Sequence, residues 1–535
     1  MQNSKNTTLL LTILTALVAG VCIGLLIPNN GVRKSEGFVS QDIRASNKLD
    51  AIWGIVERHY VDNLSADTVM DKVYAAILSA LDPHSRYLSA KELARESETL
   101  QGYFDGVGIV LRVVDDTICV DQVIPGGPSD KAGIIAGDRL LSVDSSKLSG
   151  VKLPVDKAVQ LLRGPRGSQA SILVKRPTEP SARIIKVSRN VIKTPSLAYN
   201  GMLDKQTGYI RLTQFSESTY EEFCAAVRNL RKKGMKRMIL DLRDNNGGLL
   251  SAALNICDEL LSGDELIVYT EGAHSRRKEV HSHRGGLFAE GELIVLIDEF
   301  SASASEIVAG AIQDNDRGLV VGRRSFGKGL VQQQFDLRDN SAIMLTIARY
   351  YTPSGRCIQR PYDKGTDEYY SDFIQQLTQN IEKDSVLMQI TDSTQYRTVK
   401  GRIVYGGGGI YPDHVINYKK YPDIAYYNAL INKNIFSTYT FNFISYNGAV
   451  IKQEYPTEDN FVNNYKVSDQ MIEAIVRLGE KQGLSRNTKS ISRYKEEMRS
   501  LTKALIGNML YSSATYYRVH IWTDPEIKEA ISLFK

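Results

Sequence analysis

Residues 293–314 read LIVLIDEFSASASEIVAGAIQD, and residues 320–335 read VVGRRSFGKGLVQQQF. The apolar run Leu293–Ile297 has the length of a strand buried on both faces. It enters a serine-rich turn, and a helix follows over 305–313. A further strand is predicted at 319–322. Working outward, strands are predicted at 208–212 and 237–242, and helices at 221–232 and 252–261. Strands that alternate with helices in this way imply an α/β core with a largely buried sheet, here assigned to residues 191–417.

A serine at such a turn stands beside a helix N-terminus, where free N–H groups and the helix dipole can stabilise an oxyanion. The same residues admit a plainer reading. Ser303 and Glu306 fit S-x-x-E, a capping box in which the serine only caps the helix. Lys328, between Gly327 and Gly329, shifts the balance toward chemistry. No histidine lies near Ser303 in the motif, and a Ser-Lys dyad needs none, because a neutral amine can take the serine proton. Such a base must titrate roughly 2–3 units below the ordinary lysine value, which costs about 3–4 kcal/mol and is supplied by burial. Phe326, Leu330 and Val331 are the candidate apolar wall.

Residues 99–190 change character. Short β-rich runs at 107–114, 117–123 and 170–175 are punctuated by Gly, Pro and Asp. IPGGPSDKAGIIAGDRLLSVD (124–144) and LLRGPRGS (161–168) resemble a PDZ domain, with Ser129 where alanine is usual. Such domains take an extended chain end by β-addition and hold its carboxylate on backbone N–H groups. The resemblance makes Gly106, Val107, Gly108 and Ile109 the carboxylate loop.

Together with ERHYVD (57–62), LDPHSRYL (81–88), LDLRDNNGGLL (240–250), ARYYTPSGRCIQ (348–359) and GGGGIYPD (406–413), the serine and lysine runs resemble the carboxyl-terminal processing peptidases, or tail-specific proteases. The resemblance covers roughly residues 40–417. It implies a ClpP/crotonase-like α/β protease core with an inserted or preceding β-rich PDZ domain and helical terminal regions. It implies Ser303 as nucleophile, Lys328 as general base and Gln332 as the residue that holds the lysine amine. The last role has a geometric condition. Four residues span roughly 6 Å on a helix but about 13 Å on a strand, so 328–332 must be helical or sharply bent. The implied oxyanion hole uses the N–H of Ala304 and one from Gly247-Gly248. The family usually has Asn-Pro before these glycines, where this chain has Asp244-Asn245-Asn246. Asp314 matches an acidic position of the family and reads as structural support. The function implied is a serine endopeptidase that cleaves proteins near their C-termini after PDZ capture of the tail. The alternative is a non-catalytic PDZ scaffold on a protease-like fold.

The ends complete the organisation. No charged residue occurs from Asn6 to Val32, and 9–27 is nearly all apolar, long enough to cross a bilayer. Residues 1–36 are therefore read as a membrane anchor or signal with its linker, and 37–98 as a helical region. The tail, 418–535, is polar and mostly helical, with no role legible. The implied location is the bacterial cell envelope, anchored in the inner membrane and facing the periplasm. The 535 residues are 42% hydrophobic and 24% charged, with a net charge of +5, which argues against disorder and against nucleic acid. The five cysteines form no CxxC pair, and His281 with His283 lacks a third ligand, so no metal and no cofactor is expected. The expected partners are proteins or peptides with free C-termini and the membrane, and a homo-oligomer is compatible.

Overall fold

The computed structural model describes residues 45–283, 285–383, 394–417 and 422–534. The apolar runs build a six-stranded sheet in the order Leu197–Met202, Thr207–Leu212, Arg237–Asp241, Glu292–Ile297, Leu319–Gly322, His414–Val415. All neighbouring pairs after the first are parallel. Side chains alternate between its faces, as period two demands. Leu240, Val295, Ile297 and Val320 join the core formed with the helices Thr219–Lys232, Leu250–Leu260 and Ala304–Asp314. Ile239, Ile294, Leu296 and Val321 face the other way and pack on Ile521, Ile527 and Ala530 of the C-terminal region.

A second, five-stranded antiparallel sheet was not legible in the sequence. It orders Arg86–Leu88, Ala342–Tyr351, Leu266–Gly272 and Ser275–His281, with Leu330–Asp336 also paired to Ala342–Tyr351. Together the two sheets leave the helix Ala304–Asp314 no solvent-facing side, and all eleven of its residues are buried. The region read as helical over 37–98 is helical at Ala45–His59, Ala66–Ser79 and from Ala90 onward, but Arg86–Leu88 is a strand. Its partner lies more than 250 residues away, and pairing of that range leaves no local periodicity to read. Among the described residues, those from Met70 onward form one compact unit.

The β-rich region folds as a six-stranded sheet: Ile109–Val114, Thr117–Val123, Arg139–Val143, Gln169–Lys175, Arg183–Ser188, with Ser146–Lys147 beside Arg139–Val143. Its core is built on Val120, Leu140, Ile172 and Val187, with the helix Val155–Leu162 supplying Ala158 and Leu162. The tail forms helices from Ile424 to Ser532, and its core reaches the PDZ-like sheet through Cys119 and Ala136. Phe441 is covered by the guanidinium groups of Arg112 and Arg139, at 4.9 and 5.4 Å from its centroid. Gly137, at φ +91°, is required there, since a Cβ would lie 2.6 Å from Ser445 Cα. The apolar run 9–27 lies outside the described residues. Among those described, no helix is long and apolar enough to cross a membrane.

Candidate active site

Three serines follow the strand Glu292–Ile297, and two of them hold the turn together. The Ser301 hydroxyl donates to the Leu242 carbonyl at 2.8 Å, and the Ser305 hydroxyl to the Asn245 carbonyl at 2.8 Å. Asp298 accepts the N–H groups of Asp244, Phe300 and Ser301. Both loops at the sheet's carboxyl edge are thereby tied into one body. Ser303, between the two tethered serines, donates its hydroxyl to no group among the described residues and is only half-buried. Its backbone is at φ 56°, ψ −112°, a conformation a non-glycine residue holds only when its surroundings impose it, at a cost of order 1–3 kcal/mol.

Glu306 imposes it. This carboxylate is fully buried one turn into the helix. One oxygen, Oε2, accepts the N–H of Ser303 at 2.8 Å and that of Lys328 at 2.9 Å. The other, Oε1, accepts the Ser325 hydroxyl at 2.6 Å and the Gly327 N–H at 2.7 Å. The Glu306 N–H itself goes to the Ser303 carbonyl oxygen at 2.9 Å. Of the cap foreseen from S-x-x-E, the half made by the glutamate is present in the bond from the Ser303 N–H, and its carboxylate reaches far beyond the cap. Two bonds to a single oxygen confine the Ser303 and Lys328 nitrogens to within about 6 Å of each other. Burial pushes the Glu306 carboxyl up, and the donors around it pull the other way.

The Lys328 amine has no hydrogen bond or ion pair among the described residues. Burial first, and the positive charge of Arg86 second, bring it down to about 8, while Glu306 and Asp82 pull it up. Both Arg86 and Asp82 belong to LDPHSRYL. Asp82 fixes that turn by accepting the His84 and Ser85 N–H groups at 2.8 Å and the Ser85 hydroxyl at 2.6 Å. His84 sits in an aromatic wall beside Phe326 and Tyr369, with Nε2 3.2 Å from the Tyr369 hydroxyl. Burial, and then the Lys328 charge, hold it down at about 3, so it is a neutral group on the lysine's flank.

The paired glycines adjoin Ser303. A Cβ on Gly247 would lie 2.9 Å from Ser303 Cβ and 3.1 Å from the Ala304 nitrogen. The N–H of Gly247 is taken by Asn245 Oδ1 at 2.9 Å, whereas those of Gly248 and Ala304 have no partner among the described residues. Asn245 is buried, and its side-chain nitrogen donates to the Leu212 carbonyl at 3.0 Å. It holds the loop's shape, while Asn246 points to solvent.

Gln332 makes no hydrogen bond to Lys328 among the described residues. It lies in the strand Leu330–Asp336, whose pairing shifts register between Val331 and Gln332, and it donates from Nε2 to Thr346 Oγ1 at 3.3 Å. Asp314 ends the Ser303-bearing helix, about 15 Å from its start. There it pairs with the fully buried Arg356 at 2.7 Å and accepts the Ser354 hydroxyl at 2.7 Å, a structural role. In the PDZ-like module, Gly106 ends a strand and Ile109 opens the edge strand Ile109–Val114. Between them the carbonyls of Val107 and Gly108 accept from Ser129 and Ile124, both at 3.0 Å, and their own N–H groups have no backbone partner among the described residues. His281 faces Glu279 and Asp264, and His283 faces Asp258.

Comparisons with known proteins bear on the family of this chain. Residues 206–368 match the model of peptidase family S41, residues 119–176 match the PDZ domain, and residues 426–512 match a family of unknown function, DUF8443. The carboxy-terminal-processing protease of Bartonella bacilliformis is 36% identical over 308 residues, covering 57% of this chain and 70% of that protein. The carboxyl-terminal-processing protease of Picosynechococcus is 36% identical over 332 residues, covering 60% of this chain and 76% of the relative. A solved structure of a photosystem II D1 C-terminal processing protease is 30% identical, covers 58% of this chain and 88% of its own, and gives a TM-score of 0.33. With a core matched by the S41 model and relatives covered over more than two thirds of their length, this chain belongs to peptidase family S41, among its carboxyl-terminal-processing serine peptidases, and carries a PDZ domain.

Proposed function

We propose that this peptidase works through a Ser303/Lys328 dyad and that its PDZ domain captures the substrate's free C-terminus. The observation that carries the dyad is the shared Glu306 oxygen, which brings the Ser303 and Lys328 backbones together, with an unpaired, buried amine on the lysine. In the free enzyme no hydrogen bond joins hydroxyl to amine, and such contacts commonly tighten only when substrate is bound. Neutral Lys328 takes the Ser303 proton as Oγ attacks the scissile carbonyl. The Gly248 and Ala304 N–H groups meet the oxyanion. The ammonium then gives its proton to the leaving amine, and the C–N bond breaks. Water, deprotonated by the again neutral amine, attacks the acyl-enzyme and releases the second product and free Ser303.

Tail capture rests on the unclaimed N–H groups of Val107 and Gly108 beside an open sheet edge, which suit a terminal carboxylate and an added strand. The same proposal places the enzyme in the cell envelope, facing the periplasm; the apolar run 9–27, long enough to cross a bilayer, supports the anchor. The deciding experiment incubates the protein with an unstructured polypeptide. Wild type cleaves it, and Ser303→Ala and Lys328→Arg do not, since arginine keeps the charge but cannot deprotonate. Substantial activity in Lys328→Arg overturns the dyad.

A further inference from the structure

The sequence left the C-terminal helices without a role, and their family model is one of unknown function. The helix Pro525–Ser532 lies against the carboxyl edge of the catalytic sheet. Its side chain Glu526 divides its carboxylate between two arginines of the core. Oε2 accepts Arg243 Nη1 at 2.7 Å, and Oε1 accepts Arg323 Nη1. Asp524, which caps the helix on the Glu526 N–H at 2.9 Å, also takes Arg243 Nη2 at 2.8 Å.

Each arginine leads into a catalytic loop. Arg243 opens the 242–249 loop that carries Gly248, and it is held below by the fully buried Asp241 at 2.6 Å. Arg323 opens the segment that reaches Lys328, and its Nε donates at 2.9 Å to Glu299, four residues before Ser303. Glu526 therefore stands where the oxyanion loop, the serine loop and the lysine loop converge. All the participants are at most about one fifth exposed, so these charges are poorly screened, and losing one partner strands the others.

We propose that Glu526 is a positioning residue of the catalytic site, and that the C-terminal helical region serves as an intramolecular brace setting the spacing of the three catalytic loops. This rests on the Ser303/Lys328 reading. Loss of the Glu526 contacts leaves substrate capture intact, because they reach Arg243 and Arg323 and not the PDZ-like sheet, and misplaces the oxyanion donors and the base.

The test compares Glu526→Gln, Glu526→Asp and Arg323→Lys in the full chain, with Ser303→Ala and Lys328→Arg as references. Wild-type cleavage abolished by both Ser303→Ala and Lys328→Arg establishes the reading on which the inference stands. Given that, Glu526→Gln is expected to lower kcat at least about 10-fold with KM within about 2-fold. Assays are run well below each variant's melting temperature. Glu526→Asp, which keeps the charge, is expected to recover part of the loss. Arg323→Lys combined with Glu526→Gln is expected to fall short of the product of the separate losses, because both act through one contact. A folded Glu526→Gln with wild-type kcat overturns the brace. If that variant does not fold, a folded Arg323→Lys with wild-type kcat overturns it equally.

Discussion

Ser303 and Lys328, 25 positions apart, donate their backbone N–H groups to the same atom, Oε2 of Glu306, at 2.8 and 2.9 Å. The nucleophile and base proposed here are thus referenced to one buried point, independent of the side-chain hydrogen bond between them.

The first expectation concerns pH. Lys328 acts as a base only when neutral, and burial with Arg86 sets it near 8. The quantity kcat/KM should rise about tenfold per pH unit below that value and level off above it. A pH–rate profile flat from pH 6 to 9 contradicts this.

The same burial affects stability. Lysine ordinarily titrates at 10.5 and here at about 8, so between those values the unfolded chain binds more protons than the folded one, and stability rises with pH across that window. Below it the full cost of the buried charge, about 3 kcal/mol, is present. Lys328→Met should therefore be inactive yet more stable than wild type at pH 7, by up to about 3 kcal/mol. Urea melts at pH 7 and pH 10.5 check this, with the advantage shrinking at the higher pH.

Glu306→Gln keeps the shape and removes the charge that four donors share. An amide offers one acceptor oxygen and sets an NH2 against two of those donors. A loss of about 3 kcal/mol in stability is expected, with a drop in kcat of order 100-fold. Parallel denaturant melts and kinetics read both. Wild-type kcat in a folded Glu306→Gln means that the shared oxygen does not position the pair.

Gly247→Ala tests the oxyanion loop. At φ +100° the added methyl would stand 2.8 Å from the Ala302 carbonyl oxygen and 2.9 Å from Ser303 Cβ. The loop must retreat, and kcat should fall by about 100-fold, the scale of one lost oxyanion donor. An unaltered kcat removes this loop from the mechanism.

For the PDZ domain, amidating a substrate's C-terminus should reduce kcat/KM about 10- to 100-fold, matching a charge-assisted contact of about 1.5–3 kcal/mol. Gly108→Val at φ +80°, its Cβ 3.1 Å from Ile192 Cδ1 and 3.3 Å from Pro128 Cδ, should reproduce the loss and abolish the distinction between free and amidated tails. Equal rates for the two tails in wild type leave the dyad standing and remove tail capture.

Four strands of the central sheet were readable in the sequence because they are short apolar runs between helices, and Leu293–Ile297 falls within the observed Glu292–Ile297, whereas the edge strands Leu197–Met202 and His414–Val415 were not. The antiparallel sheet was not, because Arg86–Leu88 and Ala342–Tyr351 acquire their strand character from each other across the chain. In the site, Ser303 and Lys328 stood out through their neighbours. Glu306 was visible only as half of a cap, since S-x-x-E describes one helical turn and carries no trace of the lysine loop beyond it. Glu526 was out of reach altogether: its partners lie 283 and 203 residues earlier. A charge pair of that separation leaves no local pattern.

The helix that begins at Ala304 buries every one of its eleven residues. It has no outer face on which to fray, so it cannot melt while the rest of the core persists. Thermal inactivation of this enzyme should therefore coincide with unfolding of the core in a single step, with no inactive but folded form preceding it. For the same reason no position along that helix will accept a reporter label, and probes of the serine's surroundings belong on Asn246 or another exposed loop residue.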